Sequence, residues 1–258
     1  MEAVLLPAVL AGCLAAVHLV ADRIPLETSP RSRWLSAAGG VAVAYVFVHL
    51  LPDVGEAART VVETVAVPVT LLERHVYLLA LVGFVAFYGL ERYATAPRNG
   101  GNVASRTRAA GDGVASRTGT DERGDERLQF RIHVGSFAAY NGLIGYLLVD
   151  AEGSTAGLVL YAVAMGLHML SNDYGLRAQY ELAYHRTGRW LLAGAVLAGA
   201  AVGLLLEIHE AAVALLLAFL AGGIVLNVIK EELPEERESR FGAFAVGAGG
   251  YAALLLVV

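Results

Sequence analysis

Cysteine is almost absent from the 258-residue chain, and the lone Cys13 excludes both a disulfide framework and a cysteine-built zinc site. The redox compartment therefore stays undetermined. Lysine is equally scarce, with Lys230 the only one, so arginine carries nearly all the positive charge. Charged residues make up only 17% of the chain and the formal net charge is -5, with a pI near 5.8. No excess basic surface is left for a nucleic-acid partner. What the chain has instead is apolar content: 57% hydrophobic residues and a mean hydropathy of +0.58. That is too apolar for an ordinary soluble domain of this length and excludes wholesale disorder, which leaves a multi-pass protein of the cell membrane with the lipid bilayer as its partner.

Leu10-Ala11-Gly12-Cys13 has the form of a lipoprotein cleavage box. No Lys or Arg precedes it, Glu2 has the wrong sign, and the apolar run continues to Ala21, so a first membrane helix fits better. Eight apolar stretches are bounded by charge or turn residues: Ala3 to Ala21, Trp34 to Pro52, His75 to Leu90, Ile132 to Val149, Ser154 to Asn172, Trp190 to Leu206, Ala211 to Ile229 and Phe241 to Val258. Each is near the roughly 20 residues that a helix needs to cross about 30 Å of hydrocarbon. The third can extend to Tyr93 and the fifth to Tyr184.

Seventeen of the 19 basic residues fall in the loops after the odd-numbered stretches, and only Arg59 and Arg74 in the others. Retention of positive loops on the inner side predicts both termini outside. The chain then divides into helices one to three over 1–94 with an outer loop at 54–73, a cytoplasmic loop at 95–128, and helices four to eight over 129–258. The loop 95–128 is rich in Gly, Arg, Asp, Ser and Thr, carries the duplication Val103 to Thr107 and Val114 to Thr118, and is expected to be disordered. Gly55 to Leu72, broken by Pro68, reads as an interfacial helix and loop. Leu51-Pro52-Asp53 and Leu233-Pro234-Glu235 close two stretches that cross in opposite directions, the mark of an inverted repeat. Helices one to three and six to eight would form its halves, around a central pair four and five.

An ionisable group in a span costs about 2.5–3.5 kcal/mol on insertion scales, so it marks a site or a paired contact. In helix five, His168 and Asn172 stand one turn apart with Asp173 on an adjoining face, a partial cage for a divalent metal. Asn141 in helix four is the candidate fourth ligand, beside Gly142, which with Gly166 would let the two helices approach. The structural alternative pairs Asp173 with Arg177 at i,i+4 and makes His168 a neutral interhelical histidine. His49 with Asp53, and Glu207 with His209 and Glu210, form either an outer metal-collecting mouth or solvated helix ends. His18, His133, Asn227 and Lys230 read as interfacial or snorkelling groups. No nucleophile and base stand at catalytic spacing within a span, so enzymatic activity is not expected, and no cofactor is implied.

His49-Leu50-Leu51-Pro52-Asp53, Gly83-Phe84 with Glu91-Arg92, the string from His168 to Gly175, and Ala218 to Gly223 followed by Glu232 to Glu236 together resemble the Zrt/Irt-like (ZIP) family of divalent metal transporters. The resemblance implies an all-α integral membrane fold of eight transmembrane helices in a 3+2+3 inverted repeat, a homodimeric scaffold, and a divalent cation of the zinc, iron or manganese class as substrate. The family's helix-four ligand positions fall on Phe137, Ala138 and Asn141, and its helix-five positions on His168, Met169, Ser171, Asn172 and Asp173. This implies a reduced midplane site of His168, Asn172, Asp173 and Asn141. The alternative is a transport-incompetent relative with a sensing or partner-binding role.

Overall fold

Prolines and polar clusters that bound the apolar stretches do not all end helices. The computed structural model describes residues 2–23, 33–64, 69–95, 115–150, 154–206, 208–232 and 240–257. The helices are α1 Glu2–Val20, α2 Arg33–Tyr45, α3 Leu51–Thr64, α4 Val69–Thr95, α5 Ala115–Asp150, α6 Thr155–Ala183, α7 Arg189–Leu205, α8 Glu210–Asn227 and α9 Phe241–Leu255. Wider π-turns at Val46–Leu50 and Tyr184–Gly188 join α2 to α3 and α6 to α7, and a third at Val228–Glu232 prolongs α8. The first explains why Pro52 does not stop its helix. A proline lacks the N–H that would reach back one turn and its ring crowds the carbonyl there, and the extra residue of the π-turn relieves both.

The described residues thus form seven continuous helical bodies, and this corrects the expectation of eight transmembrane helices in a 3+2+3 inverted repeat. Five segments among them are long and apolar enough to cross a membrane: Arg33–Val61, His75–Tyr93, Arg127–Asp150, Thr155–Leu205 and Glu210–Lys230. The apolar helices Val4–Val20 and Phe241–Leu255 are shorter. The fifth and sixth stretches run on as one helical body, interrupted by a single non-helical residue rather than by a loop. It bends at Tyr180 (φ -128°, ψ 27°) and again through Tyr184–Gly188, and both limbs pack on α1. Ser154 starts the merged run, its hydroxyl accepting from the Gly157 amide at 3.0 Å, a standard N-cap.

Two loop expectations also change. Residues 115–128, read as disordered, are the first turns of α5, while 96–114 lie outside the described residues. Once the apolar part of α5 exists, adding helical turns to it needs no new nucleus, so polar residues with adequate helix propensity can follow. Of Gly55 to Leu72, read as interfacial, the part up to Thr64 continues α2 through α3 and buries Ala57, Ala58 and Val61, with α3 packed against α8 and α4, while 65–68 lie outside the described residues.

Lipid is as apolar as leucine, so helices in a bilayer associate through close backbone approach at small residues. Three helix pairs do so here, each with a glycine on both partners. Gly40 abuts the Phe244 carbonyl while Gly247 abuts Ala37, joining α2 to α9. Gly83 meets Phe219 and Gly222 meets Ala80, joining α4 to α8. Gly145 meets Val196 and Gly199 meets Gly142, joining α5 to α7. The expected central pair is therefore redrawn: Gly142 serves the contact of α5 with α7, and Gly166 faces Leu14 and Val17 of α1. The outer face of α4 carries Leu78, Leu81 and Val85, all more than half exposed, a surface suited to acyl chains rather than water.

Candidate functional site

The polar string of α6 is buried. His168, Ser171, Asn172 and Asp173 are at most 6% exposed, between Met165, Met169 and Leu176. Asp173 is not held by Arg177. Its Oδ2 accepts from His18 Nδ1 of α1 at 2.7 Å, with both side chains at most 1% exposed. Arg177 instead donates from Nη1 to the Ala21 carbonyl at 3.3 Å, and the Tyr184 hydroxyl donates to the His18 carbonyl at 3.4 Å. These two bonds satisfy carbonyls that the end of α1 leaves open, and they fix His18 against α6.

One turn earlier, His168 Nε2 receives the Tyr140 hydroxyl of α5 at 2.9 Å and Asn172 Nδ2 at 3.2 Å. With both groups donating, this nitrogen is an acceptor. Tyr140 is itself held edge-on by Phe87 and Phe137, with ring centroids at 5.7 and 6.3 Å. Asn141 is 3% exposed and makes no hydrogen bond to His168. The four expected metal ligands therefore divide. His168 and Asn172 bond each other, Asp173 bonds His18, and Asn141 stands apart. Among the described residues, no three His, Cys, Asp or Glu side chains gather into a metal-binding group.

What remains open are single atoms. Asp173 Oδ1, Asn172 Oδ1, His18 Nε2 and Asn141 Oδ1 are buried without a hydrogen-bond partner among the described residues. Leaving such groups unmet costs on the order of 1–3 kcal/mol each, so a polar occupant would be stabilised there. Asn172 also lines a cavity of about 70 Å³ with Glu91, His133, Phe137, Gln179 and Asn227. At about 30 Å³ per molecule, this has room for roughly two waters. Lys230 pairs with Glu91, one of the residues that line it.

Several of these partners were read as interfacial from the sequence. His18 (1%), His133 (8%) and Asn227 (5%) are buried, and His133 bonds the Tyr180 hydroxyl at 3.3 Å. The cost of an ionisable group inside an apolar stretch was the available signal for His18. Nothing in the sequence marked Tyr140.

The two halves of the expected outer mouth differ. His49 Nε2 lies 3.6 Å from Asp53 Oδ2, and both are substantially exposed. His209 caps α8, its Nδ1 accepting from the Ala211 amide at 3.2 Å, and Glu210 opens that helix on the surface. Glu207 lies outside the described residues.

Compared with protein-family models, curated proteins and solved structures, the chain matches none. The fold and site define the class directly: an all-helical, multi-pass membrane protein with a buried polar core.

Proposed function

We propose that the chain is a transporter of a divalent metal cation, of the zinc, iron or manganese class, resembling the ZIP family. The observation that carries this reading is Asp173. It is a carboxylate buried within a membrane-crossing segment, with one oxygen held by a histidine that is itself a metal-ligand type and the other unmet. A cation at this point would take Asp173 with His18, and would draw on the Asn172 and Asn141 amide oxygens if these turn toward it. One carboxylate and neutral donors make a weaker and less selective site than a carboxylate-bridged zinc pair. The bias of the basic loops supports an orientation with the ends after α1, α4, α6 and α8 in the cytoplasm and both termini outside.

The test is flux into proteoliposomes across a panel of divalent ions. The expected result is ion-dependent uptake that Asp173→Asn abolishes and His18→Gln reduces at least tenfold. Absence of uptake of every ion by the wild-type chain rejects the reading. A second reading, a transport-incompetent membrane protein with a sensing or partner-binding role, is favoured by one feature: His18 and His168 each already commit one ring nitrogen to a protein partner. It predicts wild-type folding, no flux, and no change in metal binding when Asp173 is lost.

A further inference from the structure

The pocket of about 70 Å³ beside Asn172 sits where four helices converge, and each gives it a polar side chain: Glu91 from α4, His133 from α5, Asn172 from α6 and Asn227 from α8. Three of these are deeply buried, His133 at 8%, Asn172 at 6% and Asn227 at 5% exposure. Polar groups gathered around a small cavity in an apolar bundle are costly unless something polar fills it. Asn172 commits its amide nitrogen to His168 at 3.2 Å, and its Oδ1 has no hydrogen-bond partner among the described residues. His133 Nδ1 stands 3.3 Å from the Tyr180 hydroxyl, which leaves Nε2 as the ring nitrogen open to an occupant. A metal-ligating histidine ordinarily carries such a partner on its other nitrogen, which fixes the ring.

We propose that this pocket is a second divalent-cation site, an inner station next to the Asp173 position, formed by the Glu91 carboxylate, His133 Nε2 and the amide oxygens of Asn172 and Asn227. For the class of its ligand the proposal rests on the transport reading. One imidazole nitrogen, one carboxylate and amide oxygens suit dications of the zinc, iron or manganese class. Room for roughly two waters holds such an ion with a water still attached. Asn172 lines the pocket and directly precedes Asp173, so a cation moving between the two positions keeps a polar neighbour. Lys230, the chain's only lysine, is the tethered cation that pairs with Glu91 between occupants. Its side chain is 32% exposed and that of Glu91 19%, and a partly exposed pair is held weakly. An ammonium is a compact point charge on a flexible stem, and a dication brings Glu91 twice its charge, so the ion displaces it toward the end of α8.

The experiment uses the full chain in nonionic detergent with Mn²⁺ as the probe, read by equilibrium dialysis and by pulsed electron paramagnetic resonance, which detects nitrogen bound to the ion. In the background His18→Leu/Asp173→Leu, which removes the Asp173 position, the chain should still retain one Mn²⁺ with a nitrogen signature. Adding Glu91→Gln should abolish that binding, and adding His133→Leu should remove the nitrogen signature. Lys230→Met should tighten binding about tenfold or more, because the competing charge is gone. Retention of no Mn²⁺ in the background overturns the proposal and leaves the pocket to water, and so does binding that survives Glu91→Gln or a nitrogen signature that survives His133→Leu. If Glu91→Gln does not fold with Lys230 unmatched, Glu91→Gln/Lys230→Met decides by the same reading. If the background itself does not fold, the wild type decides: Glu91→Gln should cost it one of its bound Mn²⁺, and an unchanged count counts against the site. Flux by the wild type without Mn²⁺ in the background sinks the inner site alone, whereas Mn²⁺ held there without flux sinks the transport reading alone.

Discussion

His18 and Asp173 are 155 positions apart in sequence and share one short bond where neither side chain meets solvent. Taking out one partner leaves the other buried and unmet, at a cost of about 3–5 kcal/mol, whereas replacing both by apolar groups can be nearly neutral. His18→Leu alone should therefore lower the unfolding midpoint in detergent by many degrees, and His18→Leu/Asp173→Leu should recover most of the loss. Strictly additive losses in that double-mutant cycle would mean that the pair is not coupled. The sequence made Asp173 conspicuous because a carboxylate in an apolar stretch is expensive. It could not name the partner, since that depends on which helix packs against α6, and Arg177 offered a nearer candidate at i,i+4. His168 was legible for the same reason as Asp173. Tyr140 was not, because a tyrosine in a membrane helix has an apolar body and raises no alarm until a histidine is found at its hydroxyl.

Helices meet in this protein where glycine allows backbone to touch backbone, and α7 carries both kinds of glycine. Gly199 lies against the backbone of Gly142, whereas nothing lies within 4 Å of a side chain added at Gly194. Gly199→Ala should force α5 and α7 apart and destabilise strongly, by about 1–3 kcal/mol as overpacking does. Gly194→Ala should be neutral or stabilising by roughly 0.5–1 kcal/mol, the helix-propensity gain alone. Thermal unfolding of the two variants side by side checks this, and equal losses would remove the glycine contact from the account. At this scale the sequence located the apolar segments well, because hydropathy follows directly from the need to bury backbone polar groups in lipid. It divided them wrongly at Pro52 and between Tyr184 and Arg189. Proline and a polar cluster ordinarily signal an end there, and a π-turn instead carries the helix through. Which helices pair was not legible either: Gly142 looked like a contact to α6, and only the packing shows α7 against it.

Across the whole molecule, three contacts bring segment ends together. A shared groove joins Arg33 at the start of α2 to Arg240 before α9, Lys230 pairs with Glu91 near the end of α4, and Arg177 bonds the Ala21 carbonyl past the end of α1. Each joins two ends that the charge bias groups on one side, so the packing agrees with that grouping whichever way the molecule faces. The remaining basic residues, Arg59 and Arg74, belong to the opposite side on the same bias. A substituted-cysteine experiment tests the orientation directly. Cys13 is exposed on α1 and would report from within the bilayer region, so it is first replaced by serine. On that background, Glu56→Cys lies on an exposed position of α3, and Ala110→Cys lies in the arginine-rich stretch between α4 and α5. A membrane-impermeant maleimide added to intact cells should label position 56 and spare position 110 until the membrane is opened. The reverse pattern would invert the molecule, placing the basic ends outside and the groove between α2 and α9 in the opposite leaflet, although the internal contacts would be unchanged. Labelling of both positions in intact cells would show that the two segments share one side. No arrangement with a single crossing by α4 between them would then survive.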